Sequence, residues 1–315
     1  MKALKTALLF IAMGVVGSAS AADNFRAMRT GLPHDAIYAM DRSGDALWAI
    51  GGHGLVLRSD DNGGNWQKLP TPGDFAALDM AVEAGQPVLV GQAGKAFQAA
   101  DGGESWKPLD TGTGERLLSI ATLSNGKQLA VGAFGTIVQR SPGSDSFSPI
   151  SVDWEAIVED GFEPHLYDVI QTKAGTILIA AEFGMILRSN DGGKSWSVQN
   201  KNDSSVFALH QASNGRLMGV GQAGYIISSK DDGKSWQMAK SGTSANLLGV
   251  SSSGNRFAVV GVRAVLSSND GGRSWKALVN RDTERRWYQG ITGVASDSDG
   301  RQFFAAGQFG QIINF

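Results

Sequence analysis

The sequence has no cysteine, only eight prolines and four tyrosines in 315 residues, and no apolar run long enough to cross a bilayer. The absence of cysteine excludes a disulfide framework, a thiolate nucleophile and a cysteine-borne lipid anchor. Basic charge is not in excess, with 28 Lys and Arg against 30 Asp and Glu. That balance lacks the electrostatic footprint of a general nucleic-acid binder. The clearest apolar stretch, Thr6 to Gly17, has 12 residues, whereas a transmembrane helix needs about 20. It follows Lys2 and Lys5 and precedes Ala19-Ser20-Ala21, the order of a cleavable secretory signal. Residues 1–21 therefore read as a signal peptide, and residues 22–315 as one exported domain, periplasmic or secreted and not membrane-spanning. Without the leader, 26 basic residues face 30 acidic ones, a formal charge of −4.

Glycine is abundant, at 42 residues with no triplet period, which points to many tight turns and an all-β chain. Two octapeptides, SNDGGKSW at 189–196 and SNDGGRSW at 268–275, expose a repeat. Their pattern S-x-D-x-G-x-x-W recurs at Ser59-Asp61-Gly63-Trp66 and Ser229-Asp231-Gly233-Trp236. A fifth copy, Asp101-Gly103-Trp106, has Ala99 in the Ser position, and RSPGSDSF at 140–147 is a degraded sixth. The Asp spacings 61 to 101, 191 to 231 and 231 to 270 are 40, 40 and 39 residues, the length of one propeller blade or solenoid turn. Upstream of every copy stands a short apolar run and a G-x-x-G-like hairpin, seven in all: Gly51/Gly54, Gly91/Gly94, Gly132/Gly135, Ala181/Gly184, Gly221/Gly224, Gly261/Ala264 and Gly307/Gly310.

Each unit then reads as four strands, and seven such units predict a seven-bladed β-propeller with four-stranded antiparallel blades. The termini fit that reading. The chain ends GQFGQIINF with no fourth strand left, while NFRAMRTG near the start aligns with WQKLPTPG and WQMAKSGT. Phe25 stands in the Trp position, so an N-terminal strand is expected to complete the last blade. An open solenoid would instead need polar caps.

The octapeptides resemble the Asp-box, or bacterial neuraminidase repeat. The whole layout is similar to the photosystem II stability and assembly factor family over essentially all of residues 22–315. The resemblance implies a propeller acting as a non-enzymatic, chaperone-like factor in membrane-protein assembly. For members in non-photosynthetic bacteria it implies association with membrane exporters of the resistance-nodulation-division type. The implied partner is a protein, and no cofactor is implied.

Turn chemistry accounts for the Asp-box residues Asp61, Trp66, Asp101, Trp106, Asp191, Trp196, Asp231, Trp236, Asp270 and Trp275. Asp and Ser accept from backbone N–H groups, Gly takes positive φ, and Trp packs on the hairpin it closes. A calcium loop is the competing reading, but it needs several oxygen ligands at alternating positions, and the octapeptide has one obligate Asp. A meander puts the Asp-boxes on one face. The G-x-x-G tips and blade-to-blade connections lie on the other, where loops vary and function concentrates.

Two connections break the repeat: Gly135 to Gly184 spans 49 residues and Ala264 to Gly310 spans 46, against 40 or 41 elsewhere. The first carries Trp154, Glu155, Glu159, Asp160 and Glu163; the second carries Arg281, Arg285, Arg286, Trp287 and Tyr288. Three blades separate them. Exposed Trp and Arg in irregular loops suit a protein interface, and the alternative is solvated loops that tuck a Trp over a neighbouring blade. At the tips, His53, Phe134, Phe183, Arg263 and Phe309 occupy matching positions, either as contacts or as filling between blades. A glycoside hydrolase of the neuraminidase-like class is the enzymatic alternative, since those enzymes carry Asp-boxes. It requires paired carboxylates or a Tyr/Glu pair and an arginine cluster, whereas the acidic residues here fall on one loop. His34, His53, His165 and His210 fall at unrelated repeat positions and give no metal-site spacing.

Overall fold

The computed structural model describes residues 25–29, 31–83, 85–158, 161–294, 300 and 303–315. The expected signal peptide lies outside the described residues. Seven antiparallel four-stranded sheets stand as blades around an axis. Six are meanders of consecutive strands. In the seventh, Arg26–Arg29 pairs with Ile312–Asn314 as the outermost strand, outside Phe303–Gly307 and Tyr288–Gly293. The N-terminal strand thus closes the ring, and the Phe25 and Phe315 ring centroids lie 5.3 Å apart. The innermost strands are Ile37–Ser43, Ala77–Glu83, Leu117–Thr122, Leu166–Gln171, Val206–Gln211, Leu247–Ser253 and Tyr288–Gly293, each packed on the next and the last on the first.

Second strands such as Ile177–Ala181 are buried along their whole length, because a neighbouring blade covers each face. The seven apolar clusters each join two adjacent blades; Leu129, Val131 and Ile137 of blade three, for example, pack with Ile177, Ile179 and Leu187 of blade four. At the tips, the residue before the second Gly adopts positive φ, as in Phe134 at 50° and Gly135 at 62°. Two successive left-handed residues make the type I′ turn that matches strand twist.

At the opposite end, the four Asp-boxes that keep their Ser share one geometry, whereas in the copy with Ala99 the carboxylate of Asp101 keeps a 3.5 Å contact from Ser105 Oγ. In the copy at 189–196, Ser189 Oγ donates to Asp191 Oδ1 at 2.8 Å and accepts from Gly193 N–H at 2.9 Å, while Ser195 N–H and Oγ–H donate to the same carboxylate. These bonds hold the Asp61 and Asp231 carboxyls down near 2 and lower those of Asp191 and Asp270. Where the box is degraded, Arg140 occupies the Ser position at 1% exposure. Its guanidinium donates to Ser144 O, Gln128 Oε1 and Gln98 Oε1 at 2.6, 2.6 and 3.0 Å. A buried cation therefore stitches the turn that Ser and Asp stitch elsewhere.

Near the axis a polar staple links four blades. Ser119 Oγ lies 2.8 Å from Asp79 Oδ2 and 2.9 Å from Asp168 Oδ1. Ile120 N–H donates to Asp79 Oδ2 at 2.9 Å and Leu209 N–H to Asp168 Oδ2 at 2.6 Å. Burial, and then the Asp168 charge, push Asp79 up to about 7; burial pushes Asp168 and Asp41 up to about 6. The equivalent positions in blades six, seven and one are Gly249, Gly290 and Ala39. There backbones approach directly: a Cβ on Gly249 would sit 2.3 Å from Gln289 O.

Two stability predictions follow from these contacts. Arg140→Ala takes the guanidinium from the buried Gln128 carbonyl and leaves a cavity, so it should cost about 3 kcal/mol. Ser189→Ala removes the acceptor of the Gly193 and Asp191 N–H groups and one of several donors to Asp191 Oδ1 and should cost about 1–2 kcal/mol; urea unfolding of both variants checks the order. For pH, the raised carboxyls bind protons more tightly in the fold than in the unfolded chain. They therefore withdraw stability as pH rises from about 4 toward 7. Burial holds His210 down at about 4, which works in the opposite sense between pH 4 and its unfolded value. The net expectation is a fall of roughly 2–4 kcal/mol from pH 5 to pH 8, measured by denaturant titration and shallower in Asp79→Asn.

Candidate functional site

The connection from blade six to blade seven is a constrained turn. Asn280 Oδ1 accepts N–H groups of Asp282 and Thr283 at 2.9 and 2.8 Å, and Arg286 N–H donates to Asp282 O. This fixes where the arginines project. Arg281 and Arg285 are exposed. Arg286 pairs with Asp282 at 3.2 Å and lies 5.4 Å above the Phe309 ring. Its Nη1 is buried and has no hydrogen-bond partner among the described residues. Arg281, Arg285, Arg286, Gln308 and Phe309 line one open hollow, and Arg263 N–H joins the same turn by donating to Arg286 O at 2.9 Å.

Trp287 is half-buried and stacks flat on Tyr38, 5.9 Å between centroids and 8° between planes. Tyr288 departs from the expectation of an exposed contact. It opens the innermost strand of blade seven, is fully buried and donates to Gln311 Oε1 at 2.5 Å, and burial raises its phenol well above the ordinary range.

Trp154 in the acidic connection also departs from the exposed-anchor expectation. It is 8% exposed and joins the apolar cluster between blades three and four. A single helical turn, Trp154–Ile157, is capped by Asp153, whose Oδ1 accepts from Ala156 N–H. That turn aims the indole inward against Gly135, where a Cβ would sit 2.6 Å from the indole nitrogen. Glu155 and Glu163 remain exposed; Glu159 and Asp160 lie outside the described residues.

Of the tip phenylalanines, Phe309 is half-buried beneath Arg286, whereas the other two do not fill space between blades. Phe134 is 58% and Phe183 54% exposed, although a bulky side chain in the left-handed region costs about 1–2 kcal/mol. Phe134 meets His165 at 4.9 Å, His165 meets Tyr167 at 6.4 Å, and Tyr167 meets Phe207 at 5.0 Å; Phe162 abuts Phe183 at 5.4 Å. An aromatic arc therefore runs from the rim of blades three and four to the axis. The arginines occupy blades six and seven of the same face.

Between the two halves the central channel opens. Its mouth is a ring of Tyr38, Leu78, Leu118, Tyr167, Phe207, Leu248 and Gln289, one from each innermost strand, with Asp79, Ser119 and Asp168 beneath. Neither the ring nor the staple was anticipated from the sequence. The available signal was the repeat itself: aligned on the first residue of each innermost strand, the second residue onward is Ala39, Asp79, Ser119, Asp168, Ala208, Gly249 or Gly290.

The chain matches the family described as "Photosynthesis system II assembly factor YCF48" over residues 34–255 and 148–313. The photosystem II assembly lipoprotein Ycf48 of Synechococcus sp. (strain CC9902) is 26% identical over 170 residues, 51% of this chain, and the match spans about half, 48%, of that protein's length. Among solved structures, YCF48 from Cyanidioschyzon merolae superposes with a TM-score of 0.74 at 15% identity, covering 93% of this chain and 98% of that one. YCF48 bound to D1 peptide gives 0.69 at 20% identity over 93% and 96%. Virginiamycin B lyase from Staphylococcus aureus gives 0.76 at 11% identity over 92% and 98%, so the superpositions speak to the shared fold and not to activity. With seven blades, an N-terminal closing strand and a family match spanning nearly the whole ring, the chain belongs to the YCF48 family of photosynthesis system II assembly factors.

Proposed function

We propose that this protein is a non-enzymatic, exported docking factor that holds a segment of a membrane-protein client on its tip face during assembly. The observation that carries the reading is the open hollow that the exposed Arg281 and Arg285 share with Arg286. Arg presents the forked donors that carboxylates match, so the two exposed guanidiniums around the hollow suit a partner's carboxylate. Glu155 on the far connection and the exposed Phe134 and Phe183 add charge and apolar contacts across the same face, in the mixture that protein interfaces use. A relative described as bound to D1 peptide supports a polypeptide ligand. In a host without photosystems, the proposed client is a membrane exporter of the resistance-nodulation-division type. Periplasmic or extracellular residence after removal of residues 1–21 belongs to the same proposal.

The glycosidase reading has less support. Its best carboxylate pair, Asp79 and Asp168, is engaged by Ser119, Ile120 and Leu209, and neither half of the channel that the pair lines carries a Lys or Arg for a carboxylated sugar among the described residues.

The double substitution Arg281→Glu with Arg285→Glu should reduce recovery of the client from detergent-solubilised envelopes at least tenfold. Both side chains are exposed, so unfolding should stay within about 0.5 kcal/mol of the parent. Undiminished recovery contradicts the assignment, and turnover of aryl glycosides or sialosides by the purified protein contradicts the non-enzymatic reading.

A further inference from the structure

The channel mouth has a chemistry that the arginine hollow does not explain. Its rim is apolar and aromatic, its floor holds two aspartates, and the residues lining its two halves include three aspartates, Asp41, Asp79 and Asp168, with no Lys, Arg or His among the described residues. The negative charge at the floor thus has no counter-cation lining the channel. We propose that this hollow is a socket for one cationic side chain, a lysine or arginine carried by the polypeptide that docks on the tip face. The proposal rests on the docking reading above and adds a second anchor to it, of opposite charge to the arginine hollow.

Three features select that occupant. The hollow, of about 160 Å³, is closed on all sides by the seven innermost strands, so it admits one extended side chain and excludes a flat lipid surface. Leu78, Leu118 and Leu248 offer apolar wall to an aliphatic stem, and the Tyr167 and Phe207 rings, 5.0 Å apart, offer π faces to a cationic head. A norleucine-like side chain satisfies the wall but leaves the carboxylates unpaired, and an acidic one is repelled. A bare metal ion fits poorly, because no three His, Cys, Asp or Glu are grouped to hold one among the described residues.

The hydrogen-bond inventory at the floor adds a signature. Ser119 Oγ accepts Val169 N–H at 3.3 Å while touching both carboxylates. A hydroxyl has one proton to share between the two carboxylates, so a proton on one of them, donated back to Oγ, completes the set of bonds. The close pair favours sharing one proton, and an arriving cation favours its release. The other titratable groups facing the channel are Tyr38 and Tyr167 at the rim and Asp41 in the lower half; His210 is engaged by Ser252 Oγ at 2.8 Å.

The test uses the full chain with acetyl-Ala-Arg-Ala-amide and its lysine and norleucine counterparts. Calorimetry at pH 6.5 in two buffers of different ionisation enthalpy reads affinity and proton release together, and quenching of Trp287, stacked on Tyr38, reports occupancy of the mouth. The arginine and lysine peptides should bind at least tenfold more tightly than the norleucine peptide, with net proton release, and Asp168→Asn should remove that preference. Gln289→Lys, which changes the rim and leaves the floor intact, should block the arginine peptide by supplying the cation internally. Equal binding of the norleucine peptide, an unchanged preference in Asp168→Asn, or tighter binding of calcium ion alone overturns the socket. Failure of the peptides with client recovery still sensitive to Arg281 and Arg285 removes the socket and leaves the docking face standing.

Discussion

A blade of this protein cannot bury its own apolar strands. The run Ile177–Ala181 is inaccessible on both faces only because one neighbour covers each side, and the same holds at each of the seven junctions. At roughly 25 cal/mol per Å² of apolar surface, an uncovered blade face would expose enough area to threaten a marginally stable fold. The ring must therefore close, and pairing of Arg26–Arg29 with Ile312–Asn314 closes it. The remaining features, including the two divergent connections, are variations that this closed frame tolerates at its ends.

Closure does not make the ring symmetric near the axis. Blades two to five are tied by carboxylates reaching across to a hydroxyl and to backbone N–H groups. Around Gly249 and Gly290 the blades instead approach backbone to backbone, with no room for a Cβ. Staple and glycine contacts thus hold opposite sides of one channel, and the staple places acid beneath one side of an apolar mouth. On the face above, the asymmetry continues: aromatic side chains at strained turn positions over blades three and four, and arginines around a constrained turn at blades six and seven. A plain structural tip needs Gly, Asn or a small residue, as Ala93 and Ala223 illustrate. Phe134 and Phe183 remain exposed there at a conformational cost, which is the usual mark of a surface kept for contact.

The architecture was legible because its determinants are local. Type I′ turns, Asp-box turns and apolar runs each require particular residues within a few positions, and their 40-residue recurrence needs no tertiary knowledge. Burial in the irregular connections was not legible. Trp154 turns inward because a one-turn helix capped by Asp153 aims it there, and Tyr288 is buried because it is already the first residue of the innermost strand of blade seven. The staple needs Asp79, Ser119 and Asp168, which come from separate blades and gain meaning only when the repeats are set in register. Arg140 reads as a broken box in the sequence, whereas in the fold it is a different fastener for the same turn.

The most direct measurement of the central claim, that the tip face is where this propeller meets its client, is site-specific photo-crosslinking in the living host. A benzophenone side chain is placed at Phe134 or Arg285 on the tip face, and at Lys230 or Lys194 on the Asp-box face. The account expects crosslinks to an envelope protein from Phe134 and Arg285 alone. Crosslinks from Lys230 and Lys194, with none from the tip positions, would contradict it.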